Sequence, residues 1–124
     1  MADNASAYAH TQMATNNATY IAGKSLYAAL FLDTANPSLS GTEFAMSGYA
    51  RILVAWTNTG VTLTNTSALT WSTSIGSTTW GGTALFDAAT GGNRWFWADY
   101  SPRLSITSGS PASIPIGKLE LDFS

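Results

Sequence analysis

Beyond Lys24 this chain never runs far before turn-forming residues interrupt it. Asn36-Pro37, Ser40-Gly41, Asn58–Gly60, Gly76, Gly81–Gly82 and Gly91–Gly92 cut it into short segments. That leaves no room for long helices and predicts a succession of short strands. "SLYAALFLD" (25–33) is apolar at odd and even positions alike, the pattern of a strand buried on both faces. "YARILVAWT" (49–57) reads as a second strand, with residues 34–48 as a long loop before it. "VTLT" (61–64) and "ALTWSTS" (68–74) alternate apolar with hydroxyl residues, so each has one wet face. "STTW" lies between glycines, and "TALFD" (83–87) with "RWFWADY" (94–100) reads as a hairpin. "RLSIT" (103–107), "ASIPI" (112–116) and "KLELDF" (118–123) complete the run, the last with Leu119, Leu121 and Phe123 on one face.

The expected fold is therefore all-β: an antiparallel β-sandwich, jelly-roll-like, with about eight strands over residues 24–124. Residues 1–23 are expected to form an N-terminal arm or short helix. Ala and Gln favour helix over 4–22 and Gly23 would stop it, while Asn16–Asn17 in the middle opposes it.

Charge narrows the function. Only 10 % of residues are charged, against about a quarter in ordinary soluble domains, so Thr, Ser, Asn and Gly must cover the surface. The five basic residues, Lys24, Arg51, Arg94, Arg103 and Lys118, are scattered and assemble no phosphate-tracking patch, which speaks against nucleic acid as a partner. No apolar run is long enough for a membrane helix. The absence of cysteine removes disulfides, thiolate catalysis and Cys-ligated zinc. No cofactor or metal motif is found; the seven acids stand singly, without calcium-loop spacing.

Catalytic groups are equally sparse. His10 alone could act as a near-neutral base, and no nucleophile elbow exists to meet it. Asp87 and Asp99 are the obvious carboxylate pair, but a hairpin centred near Gly91 sets Asp99 several residues beyond the position facing Asp87. The loop "DAATGGN" reads as a chain reversal, not a catalytic device. The sequons at Asn4, Asn17 and Asn65 are what an Asn-, Ser- and Thr-rich chain yields by chance. Trp56, Trp71 and Trp80 sit near turns, where an exposed indole could stack on a sugar, although burial is the commoner fate of tryptophan.

The strand "RWFWADY" constrains function more. Alternation puts Trp95 and Trp97 on one face and Phe96 and Tyr100 on the other. One face goes to the core, and the other needs a cover, which a second subunit would supply. The expected interface residues are Tyr8, Met13 and Tyr20 of the arm, Phe44 and Met46 of the long loop, and Trp95, Phe96, Trp97 and Tyr100.

Three blocks also resemble a known family. "LYAALFLDTANPSLSGTEFAMSGYAR" (26–51), "LFDAATGGNRWFWA" (85–98) and "IPIGKLELDF" (114–123) are similar, in this order, to small bacteriophage virion proteins usually labelled phage tail fibre proteins. The N-terminal segment departs from that family's Leu-rich helix, and tryptophan is more abundant here. The resemblance implies a non-enzymatic virion component at the particle surface. Because the chain shows neither heptads nor a repeated shaft, the first expectation is a trimeric capsid cement or decoration protein, with the major capsid protein or other virion proteins as partners. The alternative is a tail fibre or tail-associated protein that binds a receptor or glycan.

Overall fold

The computed structural model describes residues 6–32, 42–45, 48–71, 78–106 and 112–123. Among them, helix α1 (Ala7–Ala22) is followed by β1 (Tyr27–Phe31), β2 (Ile52–Leu53), β3 (Trp56–Asn58), β4 (Thr62–Asn65), β5 (Leu69–Trp71), β6 (Thr78–Phe86), β7 (Arg94–Ile106), β8 (Ala112–Ile114) and β9 (Glu120–Asp122). Every strand pairing among the described residues is antiparallel. The all-β antiparallel class with a short N-terminal helix is thus what the chain forms. Its contacts group it into two compact units, residues 1–24, 55–68 and 115–124 in one, residues 25–54 and 69–114 in the other.

The second of these units is built on a sheet of order β2-β1-β6-β7. β1 lies inside the sheet, and Ala28, Ala29, Leu30 and Phe31 are all buried, as a strand apolar on both faces requires. On one face the register sets Ala29 beside Ala84, with Phe31 and Phe86 at the ends of that pair. The small alanines let the two rings lie nearly parallel, 3° apart with centroids at 6.2 Å. β5 and β8 pair separately; Leu69, Trp71, Ala112 and Ile114 turn inward while Thr70 and Ser113 face out and bond each other at 3.2 Å.

Two sequence readings are corrected in this unit. Gly81–Gly82 do not end a strand: β6 runs through them. Nor are "RWFWADY" and "RLSIT" separate, because β7 is one strand of 13 residues. The signals were real but mark irregular pairing. Trp80 faces Leu104 and Gly82 faces Asp99, so residues 100–103 of β7 stand opposite Gly81 alone. Pro102, which has no N–H for a ladder, falls within that irregularity on an end strand. A second shift leaves Trp95 as an extra residue between Arg94, opposite Phe86, and Phe96, opposite Leu85.

A third correction concerns 49–57, which is not one strand. β2 and β3 belong to different sheets. The Val54 N–H donates to Leu26 O at 2.9 Å, whereas the next carbonyl, that of Ala55, accepts from Thr66. Hydrophobic pattern alone does not reveal a strand that changes ladder midway.

The other unit packs α1 against β3 and β4, with β9 on the far side of β4. Ser6 caps the helix, its Oγ accepting the Ala9 N–H at 3.1 Å. Ala14, Ala18 and Ile21, spaced four and three apart, form the buried face. The helix passes through Asn16–Asn17 because both point outward. At the 58–60 turn Gly60 has φ +96°, and Asn58 Oδ1 accepts its N–H at 2.9 Å. Leu63 and Asn65 alternate inward along β4. Leu119, Leu121 and Phe123 are half-buried, the shared face expected of the closing strand.

Candidate functional site

β2 is only two residues long, so beyond it the outer edge of β1 needs other partners. Thr42–Phe44 supply them: Leu32 donates to Thr42 O at 2.8 Å and Phe44 to Leu30 O at 2.9 Å. The Leu30 N–H goes instead to the Tyr49 hydroxyl at 3.0 Å. That hydroxyl donates to Glu43 Oε2 at 2.6 Å. Arg51 grips the same carboxylate with both arms, Nε to Oε2 at 2.9 Å and Nη2 to Oε1 at 2.8 Å. Its remaining nitrogen, Nη1, donates to the carbonyls of Ala88 at 2.9 Å and Gly91 at 2.8 Å. The guanidinium also lies over the Phe86 ring, 3.8 Å from its centroid. One side chain thereby joins the 42–44 segment, the sheet and the β6–β7 loop.

Burial by itself would raise the Glu43 pKa. Hydrogen bonds from Arg51 and Tyr49, with the charges of Arg51 and Arg94, outweigh it and hold the carboxyl below its ordinary 4.5. Burial, aided by the bond to Glu43, pushes the Tyr49 phenol above its ordinary 10. The group is thus an ionised carboxylate, a neutral phenol and a charged guanidinium, a clamp and not a proton-transfer device.

The loop it holds is tied internally as well. Asp87 Oδ1 accepts the Asn93 N–H at 2.7 Å, and Oδ2 accepts Asn93 Nδ2 and the Trp95 indole N–H, each at 3.1 Å. Gly91 and Gly92 take φ of +64° and +75° to close it. A Cβ on Gly92 would stand 2.5 Å from Asp87 Oδ1 and 2.8 Å from Ala88 Cβ, whereas one on Gly91 meets nothing within 4 Å. Gly92→Ala is therefore expected to cost at least about 2 kcal/mol more than Gly91→Ala, whose penalty is backbone strain alone. Thermal melts of the two variants measure the difference.

Glu43, Phe44, Tyr49–Arg51 and Ala89–Gly91 line an open cleft of about 340 Å³. Beside the loop, on β7, Trp95 and Trp97 are 36 % and 47 % exposed. The same strand's Phe96 is half-buried. Of the other expected interface residues, Tyr8, Met13 and Tyr20 stand exposed on α1, and Phe44 is buried, its ring 5.9 Å from that of Tyr49. Met46 and the Tyr100 side chain lie outside the described residues. Trp71 and Trp80 are core residues packed edge to face at 6.3 Å, and so offer no sugar platform.

The two residues of the carboxylate pair weighed from sequence are well separated along the backbone, and the Asp99 side chain lies outside the described residues. Asp99 faces Gly82, five residues before Asp87 along β6, which sets the two about 16 Å apart by strand rise. Glycosidase pairs stand roughly 5–9.5 Å apart. His10 borders a cavity of about 250 Å³ with Thr11, Ala14 and Val61, none of which is an acid or an activated nucleophile. Among the described residues no group of three or more His, Asp or Glu could hold a metal ion, and no helix is long and apolar enough to cross a membrane.

Sequence reasoning missed Glu43, Tyr49 and Arg51 as a unit. They sit in the block "TEFAMSGYAR", but only the fold brings them to residues 88 and 91. Compared with known proteins, the chain matches over residues 2–122 the family described as podophage GP4 fiber I protein gp80. No curated protein matches it.

Proposed function

The chain belongs to the podophage GP4 fiber I protein gp80 family, and from that membership we propose that it is a tail-associated fibre protein that meets the host surface. The match carries the reading because it extends through both compact units. It supports a structural, non-enzymatic role and turns the reading away from capsid cement. The lack of heptads and repeats in this chain is compatible with a fibre whose shaft belongs to another chain, this one supplying the contact surface.

Self-association is part of this proposal. Met13, Asn16 and Tyr20 follow one another at spacings of three and four along the exposed side of α1. Apart from His10, no acidic or basic side chain lies between Ala7 and Ala22, so copies of the helix would not repel one another. At 16 residues the helix is too short to act as a shaft but long enough to seat on a second copy. Met13→Glu is expected to reduce the assembly to monomers in light scattering without lowering the melting temperature.

Labelling intact podophage particles with antibody against this chain tests the assignment. Label at the tail, together with blocked adsorption when purified chain is added first, is the expected result. Label spread over the capsid would restore the cement reading.

A further inference from the structure

We propose that Trp95 and Trp97 form a stacking platform for the pyranose rings of a bacterial surface polysaccharide, held rigid by Asp87 and the Arg51-clamped loop. Trp95 and Trp97 lie two residues apart on β7, Trp97 opposite Ala84 and Trp95 the extra residue of the register shift, about 7 Å apart along the chain. Their exposures of 36 % and 47 % leave on the order of 200 Å² of the two residues' surface open. A protein partner needs about 800 Å² on each side for a stable complex, four times as much. A sugar ring or two laid flat on the indoles needs no more than is present.

The neighbouring chemistry agrees. Thr90 and Asn93 are exposed on the adjoining loop, so polar groups lie within the same neighbourhood as the rings. Nucleobases also stack on indoles, but they bring phosphates, and this chain has a net charge of −2 with Arg51 already committed to Glu43. A saccharide has the apolar C–H face and the hydroxyls to match, and needs no strong cationic field.

Rigidity is the second observation. Trp95 is fixed by its indole N–H to Asp87 Oδ2, Asp87 also holds the Asn93 backbone, and Arg51 holds the Ala88 and Gly91 carbonyls. An indole exposed at a surface gains little stability from such an anchor, whereas a ligand loses less affinity to ordering a ring already in place. The platform deepens the fibre reading, which supplies only the source of the sugar.

The test uses the purified full chain and two probes from bacteria the phage infects: the polysaccharide released from lipopolysaccharide by mild acid, and the capsular polysaccharide. Binding to either, with a change in tryptophan fluorescence, is expected; which probe binds names the source. Trp97→Ala should weaken binding roughly tenfold or more with its melt unchanged. Trp97→Leu keeps apolar bulk without a ring face and should bind as weakly, which covers the case in which alanine loosens the strand. Binding of both variants at wild-type strength would overturn the platform. So would a wild-type chain that binds neither probe yet still blocks adsorption, a result that leaves the fibre reading standing. If the chain neither binds nor blocks, both fall.

Discussion

Arg51→Ala should lower the stability of the unit containing β1 and β6 by about 3 kcal/mol, or about 12 °C in melting temperature. The Arg51 side chain is 8 % exposed and that of its partner Glu43 25 %. Removing the guanidinium strands a partly buried carboxylate and the carbonyls of Ala88 and Gly91, and uncovers the Phe86 ring face it lies over. Replacing both partners, in Arg51→Met with Glu43→Gln, should cost less than the sum of the single changes, because neither charge is then left alone. Acid should act through the same carboxylate. The Glu43 pKa is lower folded than unfolded, so its contribution is complete above about pH 4.5 and is lost as pH falls through the depressed folded value. Glu43→Gln should flatten that acid limb of the stability curve while lowering the plateau. Urea melts between pH 3 and 7 read both effects, and an unchanged acid limb in the variant would remove Glu43 as its source.

The parts of this fold that sequence displayed are those in which one residue's neighbours along the chain decide its environment. β1 is apolar at odd and even positions because residues on both of its faces are buried, and that is visible in five consecutive letters. The Asn58–Gly60 turn is equally local, since Asn58 bonds Gly60 directly. Glycine and proline were harder to interpret, because they mark backbone irregularity without saying whether a strand ends or bulges. Gly81 and Pro102 do the latter, both falling within one irregular stretch of the β6–β7 pairing. The clamp was out of reach for a different reason. Arg51 meets the Ala88 and Gly91 carbonyls some forty residues away, and carbonyl acceptors have no sequence signature at all. The tryptophans show the limit of composition: Trp71 and Trp97 look alike in a list, but pairing and burial give one to the core and one to the surface.

Asn65→Leu should be at least as damaging as the loss of Arg51, about 4 kcal/mol, although it adds apolar bulk at a buried position. Asn65 is 1 % exposed. Its Nδ2 donates to Ser67 O at 2.9 Å and Pro115 O at 3.0 Å, and its Oδ1 accepts the Leu119 N–H at 2.9 Å. Its backbone completes the node, donating to Leu119 O and accepting from Gly117 N. One amide thus fastens the turn after β4 to the turn before β9, where the chain supplies no regular ladder. Leucine would leave the Ser67 carbonyl and the Leu119 N–H without their partner and Pro115 O with the Lys118 N–H alone, in a part-buried node. Leu63→Ala, two residues earlier on the same buried face, creates only a cavity and is expected to cost about 3 kcal/mol. Hydrogen exchange separates the two mechanisms: the Leu119 amide should lose its protection in Asn65→Leu beyond what the global stability change accounts for, and should follow global stability in Leu63→Ala. The same bonds explain why the triplet Asn65-Thr-Ser is not a glycan acceptor in the folded chain, since both Nδ2 hydrogens are engaged and the side chain is enclosed. A glycan on Asn65 in folded protein would contradict this packing outright.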